Sequence, residues 1–228
     1  LAQEIQNDEP NTALMLWNGL VERSGTNWTY QLGRADARVL ARVEGWEASL
    51  DELSRAATNF SQRCDAGMRL ARHRGPAAVD AWAATLTKEE RRRFPVWAVL
   101  VQARETAGDH RAVVEIVEEA VKTNDLPGPG RARLWVAAAR ARRALGDVEV
   151  AKLNLRNAAA AAGPDPDLCL EIAGALDELG ESTQSVEMYV AAALGAGRVR
   201  ADAVSALNRI ALRSGDPKRM LDIFSRLA

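Results

Sequence analysis

The sequence predicts an all-α fold built from about six stacked antiparallel helical hairpins, and three observations lead there. Alanine supplies 43 of the 228 residues, and alanine has the highest helix propensity because fixing it costs no side-chain entropy. No stretch alternates apolar and polar residues over strand length, and apolar residues recur instead at intervals of three and four, the period of a helix face. Glycine marks a longer period: Gly45, Gly75, Gly108, Gly146, Gly180 and Gly215 lie 30, 33, 38, 34 and 35 residues apart, the spacing of a helix-turn-helix repeat.

The elements follow from that period. Residues 1–94 read as degenerate helical hairpins of uncertain register, with Gly45-Trp46-Glu47-Ala48 as a shortened turn. Thr87-Lys88-Glu89-Glu90 has capping-box spacing and starts a short basic helix through Arg91-Arg92-Arg93, stopped before Pro95. Beyond it, four glycines are each followed by an acid: Gly108-Asp109, Gly146-Asp147, Gly180-Glu181 and Gly215-Asp216. A residue that tolerates positive φ ends one helix, and an acidic cap or first-turn residue opens the next. The helices so defined run over 95–107 and 109–122, 131–145 and 147–162, 166–179 and 181–194, then 200–214 and 216–227. They group into four repeats at 95–122, 131–162, 166–194 and 200–228. Thr123 to Arg131, TNDLPGPGR, is rich in turn formers and is expected as an exposed loop between repeats.

Residues 94–228 resemble the tetratricopeptide repeat (TPR) family. Aligned on the turn glycine, Trp97 and Trp135 take its early aromatic position, and Leu100, Ile172 and Leu207 its leucine position. Ala151, Tyr189 and Phe224 take the small and aromatic positions of the second helix, and Ala120, Ala158 and Ala192 a later small position. Val101, Ala139, Ala173 and Asn208 replace the family's Gly after the leucine, and most repeat-end prolines are missing, so the repeats are degenerate. The resemblance implies one continuous right-handed superhelical solenoid with a concave groove lined by the first helix of each hairpin.

Cys64 and Cys169 are too few for a disulfide scaffold and lack zinc or redox spacing. Both fall where the repeat pattern places a buried apolar side chain, so they read as core packing in a reducing, cytoplasmic setting. His73 and His110 lie near turns with no metal-ligand arrangement around them. Gly128-Pro129-Gly130 lacks the Lys-Ser or Lys-Thr pair of a phosphate loop. No catalytic constellation, metal site or cofactor site is expected. The longest apolar stretches, Leu134 to Ala139 and Met188 to Ala196, are too short to insert in a membrane. The tryptophans Trp17, Trp28, Trp46, Trp82, Trp97 and Trp135 have helical spacing to other apolar residues and read mostly as core.

Charge is the more informative signal. Lys and Arg total 30 against 31 Asp and Glu, but residues 1–59 sum to −4, 60–143 to +6, 144–198 to −6 and 199–228 to +3. In a solenoid such blocks become separate patches. The groove positions implied by the resemblance select Arg69, Arg72, Arg133, Arg140, Arg143, Arg209 and Arg213, with Gln102 and Glu105 between them and Asp167, Asp177 and Glu178 interrupting. Arginine pairs with carboxylate in bidentate fashion, so the expected partner is a protein or peptide, for example an acidic segment. The family's chaperone-tail clamp needs Lys and Asn where this chain has Ala98 and Gln102, which argues against that ligand. The net charge of −1 and the lack of a recognition motif argue against nucleic acid. The function expected is a non-catalytic interaction scaffold. The alternative is the TPR portion of a larger enzyme, such as a bacterial transferase, where it would serve assembly or substrate positioning.

Overall fold

A computed structural model of the chain describes residues 2–123, 125–214, 218 and 225. These residues form thirteen α-helices and no strand. The chain divides into two compact units, Leu1–Asp109 and His110–Ala228. The expected Gly215-Asp216 turn, the helix over 216–227 and Phe224 lie outside the described residues.

The first unit holds α1 (Pro10–Arg23), α2 (Trp28–Leu40), α3 (Trp46–Ala56), α4 (Phe60–His73), α5 (Pro76–Ala84), α6 (Lys88–Arg91) and α7 (Phe94–Thr106). Each of α1 to α4 packs on the next, α5 and α6 pack on α7, and α4 also meets α2 and α7. The starts are written in local chemistry. Asn27 and Asn59 cap α2 and α4 by accepting from the third residue on, and Pro10, Pro76 and Pro95 stand in first turns where no N–H partner is needed. The capping box before α6 forms as expected, with Thr87 and Glu90 bonded to each other's backbone N–H at 3.2 and 3.0 Å.

The core of this unit centres on Leu50, Leu53, Leu70, Val79, Trp82, Val96 and Val99. A smaller cluster forms around Trp17, Ala13 and Ala37. Two helix-interior glycines shape both clusters. A Cβ at Gly33 would lie 2.4 Å from the Trp17 ring, and one at Gly67 would lie 2.7 Å from the Trp82 ring. Each tryptophan is thus seated on bare backbone of a neighbouring helix.

The second unit holds α8 (His110–Ala120), α9 (Gly128–Ala144), α10 (Val148–Ala161), α11 (Pro166–Glu178), α12 (Ser182–Ala193) and α13 (Gly197–Ser214). Each packs on the next, and α11 also touches α9 and α13. Its core joins large side chains, Leu155, Leu168, Ile172, Leu176, Tyr189, Leu207 and Ile210, to buried alanines such as Ala151, Ala158, Ala173, Ala192 and Ala203. Alanine at these contacts lets helix backbones approach closely, and each enclosed Leu or Ile contributes about 1.5–3 kcal/mol. The alanine excess therefore has a packing role here as well as a propensity role.

The glycine turns form with uniform geometry. Gly108 and Asp109 donate to the carbonyls of Glu105 and Arg104, Gly146 and Asp147 to Arg143 and Arg142, and Gly180 and Glu181 to Asp177 and Leu176. Each is a Schellman closure, with the glycine at φ of 71°, 88° and 78°. The acid that follows holds the N-cap position at α10 and α12, as expected, but spends its carboxylate elsewhere. Neither Asp147 nor Glu181 makes a side-chain cap bond; each carboxylate turns back to accept from the preceding helices, Asp147 from Arg142 at 3.0 Å and Glu181 from Arg156 at 2.7 Å. A guanidinium outcompetes the helix N–H because the bond is charge-assisted on both sides.

Two further expectations are corrected. Around Gly45 the same closure occurs three residues earlier: Val43 donates to Arg38 and Arg42 to Val39, with Arg42 at φ 51° and Gly45 left as the N-cap of α3. The exposed loop expected at 123–131 is shorter, because Gly128-Pro129-Gly130 already forms the first turn of α9. Pro suits a first turn, and a Cβ at Gly128 would stand 2.8 Å from the Ala161 carbonyl oxygen. Leu126 and Gly130 are buried, so this segment is part of the packing.

Candidate partner-binding surface

In the second unit, α9 pairs with α10 and α11 with α12, α13 follows, and α11 touches both α9 and α13. Residues at helical spacing bring their charges together. Asp165, the N-cap of α11, uses one carboxylate oxygen to accept from Leu168 N at 3.2 Å and the other to accept from Arg133 at 2.9 Å. Glu171 accepts from Arg140 at 2.5 Å. Glu178 accepts from Arg143. On the α13 side, Asp177 accepts from Arg213 at 3.2 Å and lies 3.7 Å from Arg209. An acidic helix thus stands between two basic ones.

The arginines remain half-exposed or more, from 51% at Arg133 to 60% at Arg140. Ion pairs so open to water contribute about 0–1 kcal/mol each. Their role is therefore to hold guanidiniums in place rather than to stabilise the unit, and exchanging one carboxylate for another costs little. Each of Arg133, Arg140 and Arg143 engages its carboxylate through a single terminal nitrogen, although a guanidinium carries five N–H donors. The interrupted row of arginines expected from the sequence is, in the structure, a row alternating in sign across three helices, with Asp177 and Glu178 paired to the arginines they interrupt.

In the first unit, Arg69 on α4 donates to Asp36 on α2 at 2.8 Å and to the Asp65 carbonyl at 3.1 Å. Trp28 Nε1 donates to the Asp65 carboxylate at 3.0 Å, a second tie between the same helices. A cleft of about 440 Å³ opens beside them, bordered by Gln6, Trp17, Gly33, Asp36 and Arg69. Arg72 is exposed, with no hydrogen bond or ion pair among the described residues. Gln102 on α7 donates to Thr106 Oγ1 at 3.3 Å within its own helix, and Glu105 is half-buried. The structure therefore brings Arg133, Arg140, Arg143, Arg209 and Arg213 against the acids of one helix, α11 and its N-cap, and pairs Arg69 separately with Asp36.

Sequence reasoning named Asp177 and Glu178 but missed Asp165 and Glu171, the acids that answer Arg133 and Arg140. Asp165, Glu171 and Glu178 recur on α11 at intervals of six and seven, near two helical turns, and that spacing was the available signal. A second set of pairs joins α10 to the start of α12, where Glu181 lies 3.8 Å from Lys152 and bonds Arg156. The Arg156 hydrogen bond is the main reason the Glu181 carboxyl titrates below its usual range.

Other reactive side chains are packed. Burial and the Asp65 charge push the Cys64 thiol up to about 11, and burial with Asp165 raises Cys169. Thiolate is therefore disfavoured at neutral pH. His73 stacks edge-on against Trp46 at 6.4 Å, and partial burial holds it below its ordinary value against the opposing pull of Asp36. Among the described residues no group of three or more His, Cys, Asp or Glu could hold a metal ion, and no helix is long and apolar enough to cross a membrane. No protein-family model matches the chain, and no curated protein matches it.

Proposed function

We propose that the chain is an interaction module whose helix pairs stack as a TPR-like right-handed solenoid, and that it grips a segment of a partner protein on the face of its first helices. The observation that carries this reading is the alternating row on α9, α11 and α13, where half-exposed guanidiniums are held in register by weak ion pairs. Such a row favours a partner of mixed charge that presents acids to Arg133, Arg140, Arg143, Arg209 and Arg213 and a base to Asp177 or Glu178. Binding swaps one set of pairs for another, so specificity comes from register and repulsion of wrong sequences rather than from net charge.

The test is a capture experiment followed by titration. Partners are retrieved with the intact chain and identified by mass spectrometry, and the bound segment is synthesised and titrated by calorimetry against wild type and Arg140→Glu/Arg143→Glu. The proposal expects affinity to fall at least tenfold with helicity retained by circular dichroism. Equal affinity would move the site off this face.

A further inference from the structure

We propose a second binding site: the cleft between α2 and α3 takes a carboxylate group of a small acid or an acidic side chain. It uses none of the residues assigned to the partner face and does not rest on that assignment. The cleft is about 340 Å³, at the small end of ligand-sized cavities. Arg34 and Arg38 stand on its α2 wall, Ser49 and Glu52 on its α3 wall, and Ala35 and Leu53 also line it. The two arginines are one helical turn apart and both partly buried.

Neither arginine has an intramolecular partner among the described residues, and the Nε of Arg38 is buried without a hydrogen bond. Arg63, Arg69, Arg104, Arg131 and Arg142 also bury a guanidinium nitrogen, but each is partnered through another, four by a carboxylate and Arg131 by the Thr123 carbonyl. The Schellman closures supply a common register for the comparison. Counted back from the left-handed residue, Arg34 takes the place of Leu100, Ala138 and Ile172, and Arg38 that of Arg104, Arg142 and Leu176. Ala138, Ile172 and Leu176 are buried; Arg104 pairs with Asp80, and Arg142 with Glu118 and Asp147.

At these two positions other helix pairs carry apolar packing or a neutralised charge, whereas α2 carries two unneutralised charges over a cavity. Leaving guanidiniums so placed costs desolvation and mutual repulsion, and an anion in the cleft removes both. Two guanidiniums facing one Glu52 carboxylate suit a planar carboxylate group, which brings one charge into the cleft, better than a phosphate group, which concentrates up to two on one centre, so a carboxylate is preferred over a phosphate.

The experiment titrates the full chain with succinate and, separately, with inorganic phosphate, reading the arginine Nε–H resonances by NMR. Saturable shifts at Arg34 and Arg38 are expected, tighter for succinate, and weakened at least tenfold in Arg34→Gln/Arg38→Gln while Arg72→Gln leaves them unchanged. Glu52→Gln, at an exposed position, keeps the test open if the double variant fails to fold; it should tighten both anions about threefold. Absence of saturable binding, equal affinity in the double variant, or indifference to Glu52→Gln overturns the site. Tighter binding of phosphate than of succinate overturns the carboxylate assignment.

Discussion

The two units solve the same packing problem with different residues. The first sets large rings into backbone slots, Trp17 over Gly33 and Trp82 over Gly67. The second lines helix contacts with alanine and lets Leu, Ile and one buried Tyr189 fill the remaining space. The turns differ in parallel. The first unit closes its helices in several ways, with the two-bond closure at Arg42 and Gly108 but extended backbone at Ala57 and a Gly75-Pro76 step, whereas both helix pairs of the second unit, α9 with α10 and α11 with α12, share that one closure at Gly146 and Gly180. A close-packed interface of small residues depends on a constant helix offset, and a constant turn supplies it. A ring in a slot sets its own offset locally, so the turns around it are free to vary.

The largest break in this comparison comes from removing the rings. Trp82→Ala is expected to cost about 3–5 kcal/mol in urea unfolding, and Ile172→Ala in the second unit about 2–5 kcal/mol. If the units unfold separately, each substitution should shift only its own transition.

Glycine substitutions sharpen the contrast further because their sign should differ between the ring slots of the first unit and the interior of α11 in the second. Gly33→Ala and Gly67→Ala force a Cβ into an aromatic ring and should destabilise by about 1–3 kcal/mol. Gly174→Ala, in the middle of α11 with only the Tyr189 hydroxyl oxygen at 3.8 Å, should stabilise by about 0.5–1 kcal/mol through helix propensity. A loss at Gly174 of the size seen at Gly33 would remove the distinction between slot and close packing.

The turns give a smaller effect. Arg42 sits at φ 51° where the later closures have glycine, so Arg42→Gly should raise stability by about 0.4–1 kcal/mol, measured by the urea midpoint. Gly146→Ala should do the reverse.

Acid should act at the capping box last and least. The Thr87 backbone N–H chiefly, with Arg63, holds the Glu90 carboxyl below its usual value of 4.5. A group whose folded pKa is depressed stabilises above its unfolded pKa, and that contribution disappears as pH falls below about 4.5 and through the folded value. Glu90→Gln should flatten that part of the pH profile, seen as an unfolding midpoint that no longer falls with acid below pH 4.5.

Much of the second unit was legible in the sequence, because period, turn glycine and helix propensity all point the same way there. The helices expected at 147–162, 166–179 and 181–194 appear as Val148–Ala161, Pro166–Glu178 and Ser182–Ala193. The start of α9 was not, since Gly-Pro-Gly reads as a loop until the Ala161 carbonyl is seen to demand a bare backbone at Gly128. In the first unit, Gly33 and Gly67 look like weak points of helices, and only the neighbouring rings show their purpose. The candidate face was half legible. The arginines were found by position, but a one-dimensional charge count places the acids of α11 in a separate block, whereas packing sets Asp165, Glu171, Asp177 and Glu178 directly against them. The cleft between α2 and α3 is not legible in the sequence, because Gly45 reads as the turn residue and so hides the equivalence of Arg34 and Arg38 to packed positions elsewhere.

The central claim is that partners are read on the first-helix face. Its most direct measurement is a calorimetric comparison of three chains against one captured segment: wild type, Arg140→Glu/Arg143→Glu, and Lys152→Glu/Arg156→Glu, which reverses charge on α10, a second helix. The account predicts at least a tenfold loss for the first double variant and wild-type affinity for the second, with all three equally helical. Loss confined to the α10 variant, or equal affinity in all three, would contradict it.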